Sequence, residues 1–210
     1  MNGFVYPTIA STGSKQEDFI PKDWKAIKNV ESDFNGDGLL DLALVIQKIN
    51  PIQFDSADYF PKILLIAFQE PDRTYKLNTS TFKIFGEGNW GIGDEAFVNI
   101  SPQRNLLKIT FCTGGTARAY MNYYFQYRNN EWQLVEYTDE LYQVPSRDLY
   151  VTDINFLTLT MESYTKLNGK KIVDRKKGKP DEIFRLNDIT STNIKLTDID
   201  ASTFIDPFKG

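Results

Sequence analysis

The sequence predicts a mainly β protein, an antiparallel sheet or meander that is sandwich-like or strongly twisted, with one short N-terminal helix. Three observations carry this reading. Segments of about five to ten residues rich in Tyr, Phe, Ile, Val and Thr recur between turn signals. Few windows sustain a helical period. Asn129-Asn130 and Asn168-Gly169 then interrupt alternating runs with residues that tolerate positive φ. The 210 residues suffice for one domain burying roughly 70% of its unfolded surface, and no linker composition divides them, so 1–210 reads as a single domain.

Taken in order, residues Lys22 to Asn29 read as the short helix, with Trp24, Ala26 and Ile27 toward the core. Leu39 to Ile49 and Lys62 to Phe68 read as buried strands, joined by a polar connection from Pro51 to Pro61. The Gly-rich stretch from Gly86 to Gly93 is short and has strands on both sides. From Leu106 to Tyr142 three strands form a meander. Leu107, Ile109 and Phe111 alternate with Leu106, Lys108 and Thr110 in the first. Met121, Tyr123, Phe125 and Tyr127 mark one face of the second. Trp132 and Leu134 begin the third, with Val135 and Tyr137 on its other face. Tyr164 to Leu167 and Lys171 to Val173 flank Asn168-Gly169 as a hairpin.

Composition narrows function by exclusion. The chain has no histidine, which removes the usual general base near neutral pH and the commonest metal ligand. Its single cysteine, Cys112, cannot form an internal disulfide or a cysteine-built zinc site, and it reads as a buried structural thiol. The longest apolar run, Ile63 to Phe68, is far short of the roughly 20 residues of a membrane helix. The N-terminal stretch lacks the apolar core of a signal peptide, so the chain reads as cytosolic or as a mature exported form whose leader has been replaced by Met1.

One motif carries definite chemistry. Residues 33–41, DFNGDGLLD, place side-chain oxygens at Asp33, Asn35, Asp37 and Asp41, with Gly38 permitting a sharp turn and the Leu39 carbonyl offering a main-chain oxygen. Calcium takes about six to eight oxygens, and acids at alternate positions of a tight loop can aim at one centre. Three clustered carboxylates repel one another unless a cation joins them. The twelfth position, where an EF-hand needs a bidentate Glu, is Leu44 inside the run LALVI, so the EF-hand reading fails. The bland alternative is an Asn/Gly/Asp turn.

The stretch SDFNGDGLLDLALVI resembles the calcium loop of FG-GAP or VCBS-like repeats, D-x-[DN]-x-D-G-x-x-D followed by a hydrophobic strand. A full propeller needs several such loops, and one copy in this length is not a full propeller. More of the chain resembles a poorly characterised group of bacterial exported proteins and lipoproteins with a single such loop. The matching pieces are PKDWKAI, GIGDEAF, FCTGGT, YYFQYRNNEWQLVEY, and INFLT followed by NGKK. The resemblance implies a bound Ca2+, a periplasmic or secreted location with a lipid anchor in the native precursor as one form, and no established enzyme activity.

Other motifs are weaker. GEGNWG formally matches a dinucleotide fingerprint but lacks the following helix, so it reads as a loop, and Gly114-Gly115 reads as a turn or bulge. The aromatic series Tyr120, Tyr123, Tyr124, Phe125, Tyr127 and Trp132 offers a sugar or peptide platform only where alternate members do not supply the core. The formal net charge of −4 hides an asymmetry. Between Lys166 and Lys179 seven basic residues face one acid, a local +6 against −10 elsewhere. Lys170, Lys171, Arg175, Lys176 and Lys177 are therefore candidates for contacting an acidic protein, with sheet-edge protection as the bland alternative. Nucleic acid is disfavoured, since the acidic remainder repels phosphates. Two function classes remain. One is a non-enzymatic calcium-binding envelope protein acting through a protein partner, an immunity or inhibitor protein against a toxin or enzyme being one variant. The other is a hydrolase using clustered carboxylates, carbohydrate-directed in one form. A deep cleft holding two close acids would favour the second, and a flat face with exposed aromatics the first.

Overall fold

The computed structural model describes residues 4–54, 57–85, 97–115, 117–158, 160–167 and 171–178. These residues are mainly antiparallel β structure with no closed propeller, as the alternating runs require. The chain divides into two compact units, 4–85 with 100–107 and 97–99 with 108–178 among the described residues. The division falls within strands rather than at a composition break, so the sequence carries no linker to mark it.

The first unit is built on a five-stranded sheet. Its strands are β1 (Thr12–Gly13), β2 (Trp24–Ser32), β3 (Asp41–Lys48), β6 (Lys62–Gln69) and β7 (Tyr75–Thr81), in the order β1-β7-β6-β3-β2. A ribbon of β4 (Ile52–Phe54) and β5 (Ala57–Tyr59) occupies the connection between β3 and β6. The run LALVI is apolar without alternation because β3 is central and covered on both faces. Leu42, Leu44 and Ile46 join Trp24, Phe19 and Leu65 in one core cluster, while Ala43 and Val45 are fully buried and register with Ile66 and Leu64.

The helix expected over Lys22 to Asn29 is instead strand β2. Trp24, Ile27 and Val30 are the less exposed residues of its first seven, a spacing of three that imitates a helix. A bulge produces it: the register against β3 slips between Ala26 and Lys28, and the extra residue re-phases the strand. The helical turns that do form are 3-10 turns at Gln16–Phe19 and Lys83–Phe85, and in the first the Asp18 carboxylate accepts from the Ser14 and Lys15 amides at 2.7 and 3.2 Å.

The second sheet runs β14-β13-β12-β11-β10-β9-β8 and curls as a half-barrel. Its members are β8 (Phe97–Gln103), β9 (Leu106–Thr113), β10 (Ala117–Arg128), β11 (Glu131–Gln143), β12 (Asp148–Asn155), β13 (Thr160–Leu167) and β14 (Lys171–Gly178). Asn129 and Asn130 both adopt positive φ, 53° and 61°, and close the β10–β11 hairpin as the sequence predicts. A second bulge lies opposite Tyr124 and Phe125, where Val135 is the extra residue, so Tyr137 returns to the face of Trp132 and Leu134 rather than the opposite one. That face carries the core, in which Phe97, Phe111, Tyr123 and Tyr137 contact in series with ring centroids 5.1 to 6.0 Å apart. The aromatic platform is therefore mostly interior: Tyr123, Tyr124, Phe125 and Trp132 are buried, and Tyr120 and Tyr127 half-buried. No helix among the described residues is long and apolar enough to cross a membrane.

Candidate functional site

The loop 33–40 connects β2 to β3 as a hairpin whose base is the pair Ser32 and Asp41. Gly36 and Gly38 both sit at φ +86°, which lets successive amides turn inward. Asp33 gathers three of them, accepting from Gly36 N at 2.7 Å, Asp37 N at 3.1 Å and Gly38 N at 2.9 Å. Asn35 and Asp37 form a second knot: Asp37 N donates to Asn35 Oδ1 and Asn35 Nδ2 donates to Asp37 Oδ2, both at 2.9 Å. Leu39 donates its N–H to Asp37 Oδ1 at 2.8 Å.

Asp41 behaves differently because it is 0% exposed. Its Oδ2 accepts from Phe34 N at 2.9 Å and Asn35 N at 3.3 Å, and its Oδ1 from Gln69 N at 3.1 Å at the end of β6. Burial pushes its carboxyl above the usual range, against the pull of those three amides. The side chain thus ties the loop to two neighbouring strands.

The five residues predicted as a calcium shell therefore share one loop, and their oxygen-only chemistry fits a hard cation. A cation beside Asp41 would also relieve the cost of burying its charge. The carboxylates do not converge, however: among the described residues no three His, Cys, Asp or Glu side chains gather closely enough to hold a metal.

The candidate partner arm is only partly described. Lys170 and the Asn168-Gly169 turn lie outside the described residues, with Leu167 and Lys171 in register on either side of them. Lys171, Arg175, Lys176 and Lys177 belong to β14, the last strand in the order of its sheet. Arg175 registers with Tyr164, Lys176 with Ser163 and Lys177 with Glu162. Cys112 is half-buried in β9, and Gly114 turns the chain after that strand at φ +103°. The GEGNWG stretch lies outside the described residues.

Sequence reasoning missed a second site. On the polar face of the seven-stranded sheet a cleft of about 630 Å³ opens beside Glu136 on β11, Asp153 on β12, and Glu162, Tyr164 and Lys166 on β13. Asp153 and Glu162 are direct cross-strand partners, and Glu136, whose partner is Asn155, lies diagonal to Asp153. Like charges directly opposite one another weaken a sheet, so this arrangement is a local conflict within the fold. Burial, then the neighbouring Asp153, raises the Glu136 carboxyl, and Lys108 partly offsets this. Burial also raises Asp153, against a hydrogen bond from Thr138 and the pull of Lys166, with Glu162 adding to the rise. Lys108 Nζ stands 5.4 Å from the Tyr124 ring centre and Lys166 Nζ 5.2 Å from that of Tyr164. The only signal in the sequence was Glu162, Tyr164 and Lys166 at alternate positions, which marks a polar face without revealing which acids on β11 and β12 it meets.

No family model matches the chain, and no curated protein or solved structure matches it significantly.

Proposed function

We propose that the protein is a calcium-pinned binding protein of the bacterial envelope, periplasmic or secreted, which acts through a protein partner and turns over no substrate. The observation that supports this best is the position of the loop. Asp33, Asn35, Asp37, Asp41 and the Leu39 carbonyl stand at the entrance of β3, an interior strand buried on both faces. An ion that drew Asp33 and Asp37 off the loop amides from which they now accept and onto one centre beside Asp41 would fix where β3 begins and would compensate the buried Asp41 carboxylate. The basic positions of β14 supply the attraction for an acidic partner, an immunity or inhibitor role against a toxin or enzyme being the concrete form. The test is thermal unfolding of the parent protein with calcium and with chelator. A higher melting temperature in calcium is expected, and equal values overturn the reading.

A second reading is favoured by the cleft. Glu136 and Asp153 are both half-buried and held above the usual carboxylate range, as one expects of acids that exchange protons with a substrate. A hydrolase using them would lose all activity in Glu136→Gln or Asp153→Asn, measured against a panel of glycoside and ester substrates. Absence of activity in the parent across that panel rejects it.

A further inference from the structure

We propose that the cleft on the polar face of the seven-stranded sheet binds a neutral, polyhydroxylated ligand, an oligosaccharide. Its volume of about 630 Å³ lies within the usual range for small-molecule sites. Its lining mixes carboxylate acceptors with the amide of Asn155, the hydroxyl of Thr160 and the Lys166 ammonium, so donors and acceptors stand side by side. Tyr164 and Ile172, the latter 49% exposed, add apolar surface at the same cleft.

Charge selects among ligands. Glu136 is compensated by Lys108 and Asp153 by Lys166. The two acids of the cleft that burial raises thus each have a lysine of the same chain beside them. A cationic ligand would have to displace a tethered lysine, and an anionic one would meet three carboxylates. A neutral ligand meets neither obstacle. Vicinal hydroxyls can each donate to one carboxylate oxygen, replacing the water that burial has stripped from Asp153 and Glu136, and the C–H face of a pyranose can lie on Tyr164 and Ile172. The facing pair Asp153 and Glu162 gains most, because hydroxyl donors between two carboxylates relieve their repulsion without a net charge. This inference concerns the second unit and stands independently of calcium in the loop of the first.

The test is titration of the full chain with cellobiose, maltose and N,N′-diacetylchitobiose, and separately with spermidine, followed by calorimetry and amide chemical shifts, in calcium and again in chelator. At least one disaccharide should bind saturably with a Kd of about 1 mM or tighter, perturbing amides of β12 and β13. Asp153→Asn and Glu162→Gln, which keep the side-chain shape, should each weaken that binding about tenfold, and Lys76→Ala on β7 should leave it unchanged. Failure of all three disaccharides, binding that survives both cleft substitutions, or saturable binding of spermidine alone overturns the proposal. Loss of a calcium effect on melting with disaccharide binding intact would count against the loop reading only.

Discussion

Asp41 offers the sharpest test of how this fold is held. Its buried carboxylate accepts three amides, from Phe34 at 2.9 Å, Gln69 at 3.1 Å and Asn35 at 3.3 Å. Asp41→Ala strands all three donors. A hydrogen bond to a charged group contributes about 1.5–3 kcal/mol, and the third, long and shared on one oxygen, falls at the low end. Removing the carboxylate also removes its burial cost, which offsets part of the loss, so a net destabilisation of about 4 kcal/mol is expected. For a chain of this size that lowers the melting temperature by about 8–16 °C. Asp41→Asn should cost about half as much, because one carbonyl oxygen can still serve Phe34 and Asn35 while its NH2 faces the Gln69 donor. Amide hydrogen exchange gives the local readout. Protection at Phe34, Asn35 and Gln69 should collapse together in the Ala variant, whereas in the Asn variant Gln69 should lose it first. If Asp41→Ala melts with the parent, or if those three amides remain protected, the carboxylate does not tie the loop to β3 and β6.

Four further outcomes are expected. Asp37→Ala should lower the melting temperature by several degrees in calcium and much less in chelator, since Asp37 lies at the exposed surface of the loop; an equal drop in both would make its role that of an ordinary turn residue. Glu136→Gln and Asp153→Asn should stabilise the fold at pH 7, because the raised folded-state values mean that ionisation opposes folding there; the advantage should shrink as pH falls through those raised values and vanish below the ordinary values of 4.5 and 3.8, as denaturant unfolding across pH would show. Gly114→Ala should cost at least about 3 kcal/mol, visible as lost soluble yield or a much lower urea midpoint, because at φ +103° an added Cβ would press on the Ala117 carbonyl oxygen. Replacing Lys171, Lys176 and Lys177 with Glu should slow association with an acidic partner about tenfold at low salt while leaving dissociation nearly unchanged, and an unchanged association rate would reduce the lysines to edge protection.

The architecture was legible where sequence pattern and local structure depend on the same few residues. LALVI and ILLIAF announced two central strands because apolar side chains on both faces belong to a strand covered on both sides, and their register, Leu44 against Leu65, follows from burying both runs together. Asn129-Asn130 announced a hairpin because few other residues accept two successive positive φ values. The misreadings share one cause. At Ile27 and again at Val135 a bulge adds a residue to one strand, which changes the period from two to three for a single step. At Ile27 that step looked like a helix, and at Val135 it sent Tyr137 to the wrong face. Nothing in either short run distinguishes a bulge from a change of period, because the distinction lies in the partner strand.

The same dependence on the partner strand explains why one candidate site was visible and the other was not. Asp33, Asn35, Asp37 and Asp41 are brought together by nine consecutive residues, so spacing alone could suggest them. Even there the sequence left out what Asp41 does, because its third amide comes from Gln69 at the end of another strand. Glu136, Asp153 and Glu162 lie on three different strands and meet only through their registers. The bulge at Val135 fixes which β10 residue stands beside the acid of β11, so that Tyr124 faces Glu136, whereas Thr138 faces Asp153 through a β11–β12 ladder that runs without a slip. Moving that one extra residue to the C-terminal side of Glu136 would set Glu136 opposite Tyr123 and carry it to the core face. The acids of the cleft are thus a consequence of pairing rather than of motif. Deleting Val135, the unpaired residue of the bulge, would leave Leu134 opposite Phe125, Glu136 opposite Tyr124 and Thr138 opposite Asp153, so saccharide binding should survive the deletion if the cleft is built by the β11–β12 and β12–β13 pairings, and its loss would show that the bulge itself shapes the site.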